Sequence, residues 1–136
     1  MPLKYKIFSD LKIVYVRGTG KVTADEIMTT GAKIFANSKW INGFNILLDY
    51  REISELGVKS EDIENIVDQD KRNEYLFDKS KCAIVADSDL VFGLSRMWEA
   101  FSEDTKIETM VFRKIEDSLR WLGMDEIVYQ SIKELT

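Results

Sequence analysis

The chain has 136 residues, 45% of them apolar and 32% charged, a composition typical of one globular domain rather than of a disordered segment. Its formal net charge of -5 disfavours nucleic acid and anionic membrane surfaces as partners, because both are negatively charged. The chain has no histidine, which excludes Ser-His-Asp and Cys-His nucleophilic sites and zinc sites of the Cys/His type.

Residues 1–10 lack the long apolar stretch of a secretory signal, and no apolar run approaches the ~20 residues of a membrane helix. We therefore expect a cytoplasmic protein. The single cysteine, Cys82, opens a short apolar segment and is predicted to be a buried, inert thiol.

Two short strands open the chain, at residues 5–8 and 11–16, with Asp10 at the turn between them. This spacing predicts an antiparallel hairpin whose side chains alternate between the two faces of a sheet. The Gly-Thr-Gly sequence at 18–20 is predicted to end the second strand, and with Lys21 it invites comparison with a phosphate-binding loop. It lacks the first glycine of a phosphate-binding loop and the serine or threonine that should follow the lysine.

A helix is predicted next, because Thr23 and Glu26 have the spacing of a capping box and apolar residues follow at helical intervals. That helix is expected to end near Asn37. Residues 44–50 form a largely apolar segment that Asp49 terminates, which is typical of a central parallel strand covered on both faces. Residues 51–59, which contain a glycine, are predicted to form a loop.

The second helix is predicted to begin with Ser60 as its cap and to bury a narrow stripe of Ile63, Ile66 and Val67. Its acidic residues lack the spacing and the central glycine of a calcium-binding loop, so they predict a solvated helix face rather than a metal site. These residues are Glu61, Asp62, Glu64, Asp68 and Asp70.

The rest of the chain alternates strictly, with strands predicted at 82–86 and 107–112 and helices at 89–102 and 114–122. Gly123 suits the position that ends the last of these helices. Strands that alternate with helices of this length indicate parallel pairing.

The element order therefore predicts one α/β domain with an open mixed sheet of about five strands, an N-terminal antiparallel hairpin followed by parallel strands. Four helices flank this sheet. A short amphipathic helix is predicted over 125–135, with Ile127, Val128, Ile132 and Leu135 on its apolar side. Residues 1–123 are assigned to the domain, and 124–136 to a helical extension of it.

This chain resembles the STAS domain group, which includes the anti-sigma-factor antagonists and the cytoplasmic domains of sulfate transporters. It is most similar to a bacterial branch of small STAS-like proteins of unknown role, over about residues 3–123. The matching segments, in chain order, are Gly-Phe-Asn at 43–45, Leu-Asp-Tyr-Arg at 48–51, Ala-Ile-Val-Ala at 83–86, Phe-Gly-Leu-Ser-Arg-Met-Trp-Glu at 92–99, Val-Phe-Arg at 111–113 and Ser-Leu-Arg-Trp-Leu at 118–122.

The resemblance implies an open mixed sheet, often in a homodimer, and no known activity. The antagonists carry a phosphorylatable serine in an Asp-Ser-Ser/Thr-Gly motif at the start of the second helix. This chain has no such motif, and a phosphate on Ser60 would be repelled by Glu61 and Asp62. The phosphorylation switch is therefore not carried over.

Polar residues follow two neighbouring strands, and ligands of open α/β sheets bind outside the carboxyl ends of strands. These residues and one helical arginine form the predicted ligand-binding set: Asp49, Arg51, Asp87, Ser88 and Arg96. The alternative is ordinary structural pairing, in which Asp49 binds Arg51, Ser88 or Asp89 caps the helix, and Arg96 pairs with Glu99 or Glu103.

The helix over 89–102 has more apolar residues than one buried stripe requires. If Leu94, Trp98 and Phe101 face the sheet, Phe92 and Met97 lie outside that stripe. Aromatic and methionine side chains outside the core face are enriched at protein interfaces, so these two residues are predicted to line an interface, either with a partner protein or in a homodimer.

Three functions are open, and the first is favoured: a non-catalytic binding or regulatory module that acts through protein contacts. The second is a carrier or sensor of a small apolar or anionic ligand held at the strand ends. The third, an enzyme that uses Asp49 with Asp87 or Tyr50, ranks last because nothing fixes the distance between these groups. No metal and no cofactor are predicted.

Overall fold

A five-stranded mixed sheet forms the centre of the protein, whose computed structural model describes residues 2–134. The strands lie side by side in chain order: β1 (Leu3–Phe8), β2 (Ile13–Thr23), β3 (Asn45–Gly57), β4 (Lys81–Val85) and β5 (Glu108–Phe112). β1 runs antiparallel to β2, and all other neighbours are parallel. The predicted hairpin and the parallel pairing of 46–49 with 82–85 are therefore confirmed.

Helices cover both faces of this sheet. Those that connect parallel strands are α1 (Ala24–Ala36), α2 (Ser60–Arg72) and α3 (Asp89–Phe101), and two more follow the last strand, α4 (Ile115–Leu122) and α5 (Glu126–Glu134). Successive strands are added in one direction, so right-handed crossovers place α1, α2 and α3 on the same face. α4 and α5 cover the opposite face. The predicted α/β class and the five helices are confirmed.

Alternation along the strands produces two separate cores. Val14, Val16 and Leu48 point toward α1–α3, whereas Tyr15 and Leu47 point toward α4 and α5. The larger core extends to residues of all five strands and also buries Cys82, as predicted. Because β3 and β4 are apolar on both sides, the sheet can bury both faces at once.

Helix ends follow their local chemistry. The Thr23 hydroxyl accepts the Glu26 backbone N–H at 3.2 Å, and the Glu26 carboxylate accepts the Thr23 backbone N–H at 3.2 Å, which confirms the predicted capping box. α2 differs from its prediction, because Ser60 is already helical and Asp62 accepts the N–H of Lys59 at 2.8 Å. Gly123 ends α4 in the left-handed region, at a φ of 72°.

The predicted end of the second strand at 18–20 and the predicted loop at 51–59 are wrong. β2 and β3 continue as a parallel pair, from Thr19 beside Glu52 to Thr23 beside Gly57, with one register shift just before Thr19 and another between Gly20 and Lys21. A Cβ atom on Gly18 would lie 2.8 Å from Ile53 Cδ1, so this glycine allows close packing within a continuing strand. The buried Val22 and Ile53 stabilise the extension.

Two helices present faces other than those predicted. In α3 the buried residues are Val91 and Ser95, whereas Phe101 keeps 38% of its surface exposed. In α5 the buried residues are Tyr129 and Ile132, and Ile127 is 79% exposed. Position 135 lies outside the described residues. Of the helices within residues 2–134, none has the length and apolarity required to cross a bilayer.

Candidate functional site

Asp49 is the centre of a buried polar cluster on the α4–α5 face of the sheet, and only 3% of this residue is exposed. Its two carboxylate oxygens accept Arg51 Nε and Nη2, each at 2.8 Å. The Tyr15 hydroxyl donates to Oδ2 at 2.7 Å. Tyr129 of α5 lies against the same atoms, because its hydroxyl accepts Arg51 Nη2 at 2.9 Å.

Strand geometry assembles this cluster. Asp49 and Arg51 are two positions apart on β3, so their side chains emerge from the same face. Arg17 is the register partner of Asp49 on β2, which places Tyr15 diagonally across from the carboxylate. The Tyr15 and Tyr129 rings meet edge to face, with centroids 6.0 Å apart.

The electrostatics of the cluster favour a permanent ion pair. Burial raises the pKa of Asp49, but hydrogen bonds from Arg51 and Tyr15 outweigh it and hold that pKa below the ordinary carboxyl value. The bond to Asp49 raises the pKa of Arg51, and burial together with the neighbouring carboxylate raises the pKa of Tyr15. Asp49 is therefore ionised and paired near neutral pH, which does not suit a general base.

Asp87 and Ser88 lie where the sequence predicts, between β4 and α3. The Ser88 hydroxyl accepts the N–H of Val91 at 3.2 Å and caps α3. The backbone carbonyl of Asp87 accepts Arg113 Nη1 at 3.0 Å, and Arg113 also pairs with Asp89 at 2.8 Å. These contacts hold the β4–α3 loop against the segment that follows β5.

The predicted ligand-binding set does not lie on one surface. Asp49 and Arg51 belong to the α4–α5 face, whereas Arg96 lies on α3, which packs on the other face. Arg96 is paired with Glu99 at 3.2 Å. The pairing of Asp49 with Arg51 and the capping by Ser88 are the structural alternatives that the sequence left open.

The predicted interface residues are both half-buried. Phe92 packs against the larger core, and the guanidinium of Arg113 lies 4.1 Å above the centre of its ring. Met97 lies on the stripe of α3 that also contains Leu90 and Phe101, which are 62% and 38% exposed. The role of Phe92 and Met97 in an interface remains a prediction.

A cavity of about 70 Å³ lies between the sheet and helices α1, α2 and α3, on the face opposite Asp49. We call it the α1 cavity. Apolar side chains from both layers make up most of its wall: Leu3, Val16, Ile27, Ile34, Phe35, Ile46, Leu48, Ile66 and Ile107. One water molecule needs ~15 Å³ of such a cavity, so the α1 cavity has room for about four or five water-sized groups.

Gly31 is the reason that the wall of α1 is recessed. It lies one turn from both Ile27 and Ile34, on the face that α1 buries, and it lines the cavity. A Cβ atom placed on Gly31 would have no heavy atom within 4 Å, so this position faces open space. A glycine within a helix costs about 1 kcal/mol relative to alanine.

Asp70 is the one charged residue among those that line the cavity within the described chain. The side chain of Asp70 is partly accessible to solvent, but its carboxyl group is closely surrounded by protein atoms. This desolvation raises the pKa of Asp70 to about 7, against a smaller opposing effect of the Trp98 ring N–H. Tyr50 and Cys82 line the same space, and burial raises the pKa of each.

The prediction of a solvated acidic face on α2 is therefore wrong for Asp70. Its neighbours Glu64 and Asp68 are exposed as predicted, but Asp70 follows Ile66 by four residues and lies on the buried stripe. This spacing of four residues from Ile66 is the sequence feature that could have predicted the burial of Asp70. The cavity itself has no local sequence signature. Its walls come from α1, α2, α3 and the sheet, so it exists only once these elements have packed together.

No family model matches the chain, and no curated protein matches it. Among solved structures, it is similar to an uncharacterized protein of the DUF3478 family with a SpoIIAA-like fold from Shewanella loihica PV-4, at a TM-score of 0.55 and 20% identity. The match covers 88% of this chain and 91% of that one. In the described residues, no group of three or more Cys, Asp or Glu side chains is arranged to hold a metal ion. The similarity to the Shewanella structure shows that the chain has the SpoIIAA-like fold of STAS domains.

Proposed function

We propose that this protein is a non-catalytic binding module that holds a small, largely apolar molecule in the α1 cavity, as a carrier or a sensor of that molecule. The observation that carries the proposal is the apolar recess opposite Gly31, where α1 omits a side chain from its buried face. Protein interiors are close-packed, and a glycine within a helix is destabilising relative to alanine. A recess that depends on such a glycine therefore supports a binding role.

The polar cluster supports the non-catalytic part of the proposal. Both carboxylate oxygens of Asp49 accept hydrogen bonds from Arg51, and one also accepts from Tyr15. A general base needs a pKa near the working pH, whereas the pKa of Asp49 is held below the ordinary carboxyl value. Asp49, Arg51 and Tyr129 instead hold α5 on the sheet.

The size of the cavity restricts the ligand. A cavity of about 70 Å³ is smaller than the ~150 Å³ cavity that accommodates benzene, so the fitting ligands have about five heavy atoms. Short alkyl chains meet this limit.

The test is an NMR titration of the methyl-labelled protein with n-butanol. We expect saturable shifts at Ile27, Ile34 and Leu48, which line the cavity. Gly31→Leu fills the recess and should abolish these shifts. Gly93→Leu is the matched control, because Gly93 is an exposed position of α3 with open space around its Cβ. Absent or non-saturable shifts in the wild type, or shifts that survive in Gly31→Leu, would contradict the proposal.

The favoured sequence hypothesis, a module that acts through protein contacts, is the second candidate, and the outer stripe of α3 supports it. Leu90, Leu94, Met97 and Phe101 recur at helical intervals on one side of α3, and Leu90 and Phe101 are exposed. Exposed apolar surface that forms a continuous stripe is typical of a docking site. Three acidic residues, Glu64, Asp68 and Asp104, lie near Phe101 with one lysine, Lys71, so a partner with an apolar helix flanked by lysine or arginine is the best match.

The second candidate is tested by light scattering and by co-purification from the source cells. Leu90→Ser with Phe101→Ser should remove either the homodimer or one defined partner with basic residues around its apolar face. Ile127→Ser is the matched control, because Ile127 is exposed and apolar but lies on α5. Identical behaviour of the stripe variant and the wild type would exclude this surface. A cytoplasmic location, predicted from the sequence of residues 1–10 and the lack of a long apolar run, remains a prediction, as does the exclusion of nucleic acid and membrane partners, which follows from the charge.

A further inference from the structure

The wall of the α1 cavity is mostly apolar but includes one acidic side chain. A carboxyl group, that of Asp70, is present at the wall, and neither lysine nor arginine is among the lining residues of the described chain. No ion pair involving Asp70 occurs among those formed by residues 2–134. The nearby Trp98 supplies a ring N–H but no positive charge. An ionised Asp70 is thus a desolvated charge without a counter-ion.

An uncompensated carboxylate beside an apolar cavity selects among ligands. It repels anions, and it leaves neutral alkyl molecules without any electrostatic gain. A cation that enters the cavity restores the missing pairing, and hydrogen bonds to charged groups are the strong ones. The aromatic rings of Phe35, Tyr50 and Trp98 also line the cavity and present surfaces that favour cations.

We propose that the α1 cavity is a site for a small apolar amine, whose ammonium group pairs with Asp70 while its alkyl part occupies the recess beside Gly31. This inference rests on the proposed ligand-binding function and names the class of its ligand. Asp70 contributes specificity, whereas the aliphatic walls contribute the burial of the alkyl part.

Affinity for an amine should depend on pH through Asp70. The groups that face it are the Tyr50 hydroxyl from β3, the Cys82 thiol from β4 and the Trp98 indole from α3, with Gln69 beside it on α2. Burial raises the pKa of Tyr50 and of Cys82, so both stay neutral over the range in which Asp70 titrates. An alkylamine remains protonated throughout this range.

The test compares n-butylamine, n-butanol and butanoate by calorimetric titration of the full chain. At a pH of about 8 we expect n-butylamine to bind at least about tenfold more tightly than n-butanol, and butanoate more weakly than both. At a pH of about 5.5, where Asp70 is protonated, the advantage of the amine should disappear.

Two variants complete the test. Asp70→Asn should bind n-butylamine and n-butanol within about twofold of each other. Asp68→Asn is the control, because it removes an equal charge from an exposed position of α2 and should retain the advantage of the amine. Should Asp70→Asn not fold, the pH comparison on the wild type decides the question by itself.

The outcomes separate the two proposals. If n-butanol binds and n-butylamine shows no advantage at a pH of about 8, the amine inference is overturned while the apolar site stands. An unchanged amine affinity in Asp70→Asn has the same meaning. If neither probe binds, both proposals fail together.

Discussion

Tyr129 and Asp49 are 80 positions apart in the chain, and the Tyr129 hydroxyl lies 3.4 Å from Asp49 Oδ2. The same hydroxyl accepts Arg51 Nη2 at 2.9 Å. A single side chain of α5 thus reaches the ion pair that the buried Asp49 forms with Arg51 on the sheet. These contacts link the position of α5 to the pairing of the Asp49 carboxylate with Arg51.

Tyr129→Phe should release α5 without changing the core packing, because the ring and its contact with Tyr15 remain while the hydroxyl is lost. The expected loss in the free energy of unfolding is about 1–2 kcal/mol, since Arg51 loses a buried acceptor. Urea unfolding measures that loss, and faster amide exchange within Glu126–Glu134 should accompany it. Tyr75→Phe, at a 67% exposed position, is the control and should have no effect.

Asp49→Asn should destabilise the protein by about 1.5–3 kcal/mol, because the buried Asp49 loses its charge-assisted hydrogen bonds with the half-buried Arg51. Glu52→Gln, which breaks the exposed pair with Arg17, should cost less than about 1 kcal/mol. The pKa of Asp49 is lowered in the folded state. Its contribution is therefore present above the ordinary carboxyl pKa and is lost as the pH falls through the lowered value. Equal losses in the two variants would contradict this assignment.

Asp70 should have the opposite pH dependence. Its pKa is raised from 3.8 to about 7, so the folded state holds a proton that the unfolded state releases. Stability is therefore lost as the pH rises from about 4 to about 7, by no more than about 4 kcal/mol. Asp70→Asn should flatten this decline in thermal unfolding, whereas Asp68→Asn should preserve it. A decline of equal size in Asp70→Asn would show that other groups cause it.

Gly18→Ala should destabilise the protein by about 1–3 kcal/mol, because the new methyl group would lie 2.8 Å and 2.9 Å from two atoms of the buried Ile53. Gly93→Ala makes the same change in open space on α3 and should stabilise by up to about 1 kcal/mol through helix propensity. Chemical denaturation of both variants measures the contrast. An unaffected Gly18→Ala would show that Ile53 moves away freely.

The order of the elements was predictable because each is encoded by short-range patterns. The capping box at Thr23 and the apolar run at 44–50 need no tertiary information. The pairing of Asp49 with Arg51 was also accessible, since alternate residues of a strand share a face.

Features that depend on distant partners were not predictable. The segment 51–57 is polar enough to suggest a loop, and it is a strand only because Thr19–Thr23 lies beside it. The helix α3 has two apolar stripes, and only its packing against the sheet and α2 shows that Val91 and Ser95 are buried. The docking of Tyr129 likewise depends on a polar cluster that the other strands assemble first.

The strand order of the sheet has a consequence for how the chain acquires its structure. Each strand pairs with the one made just before it, so every pairing closes a modest loop and none waits for a distant segment. The loop-closure entropy that each strand pairing costs during folding is therefore modest for a largely parallel sheet. α5 is made last among the described elements, and its arrival shields the Asp49–Arg51 pair from water and completes the second layer.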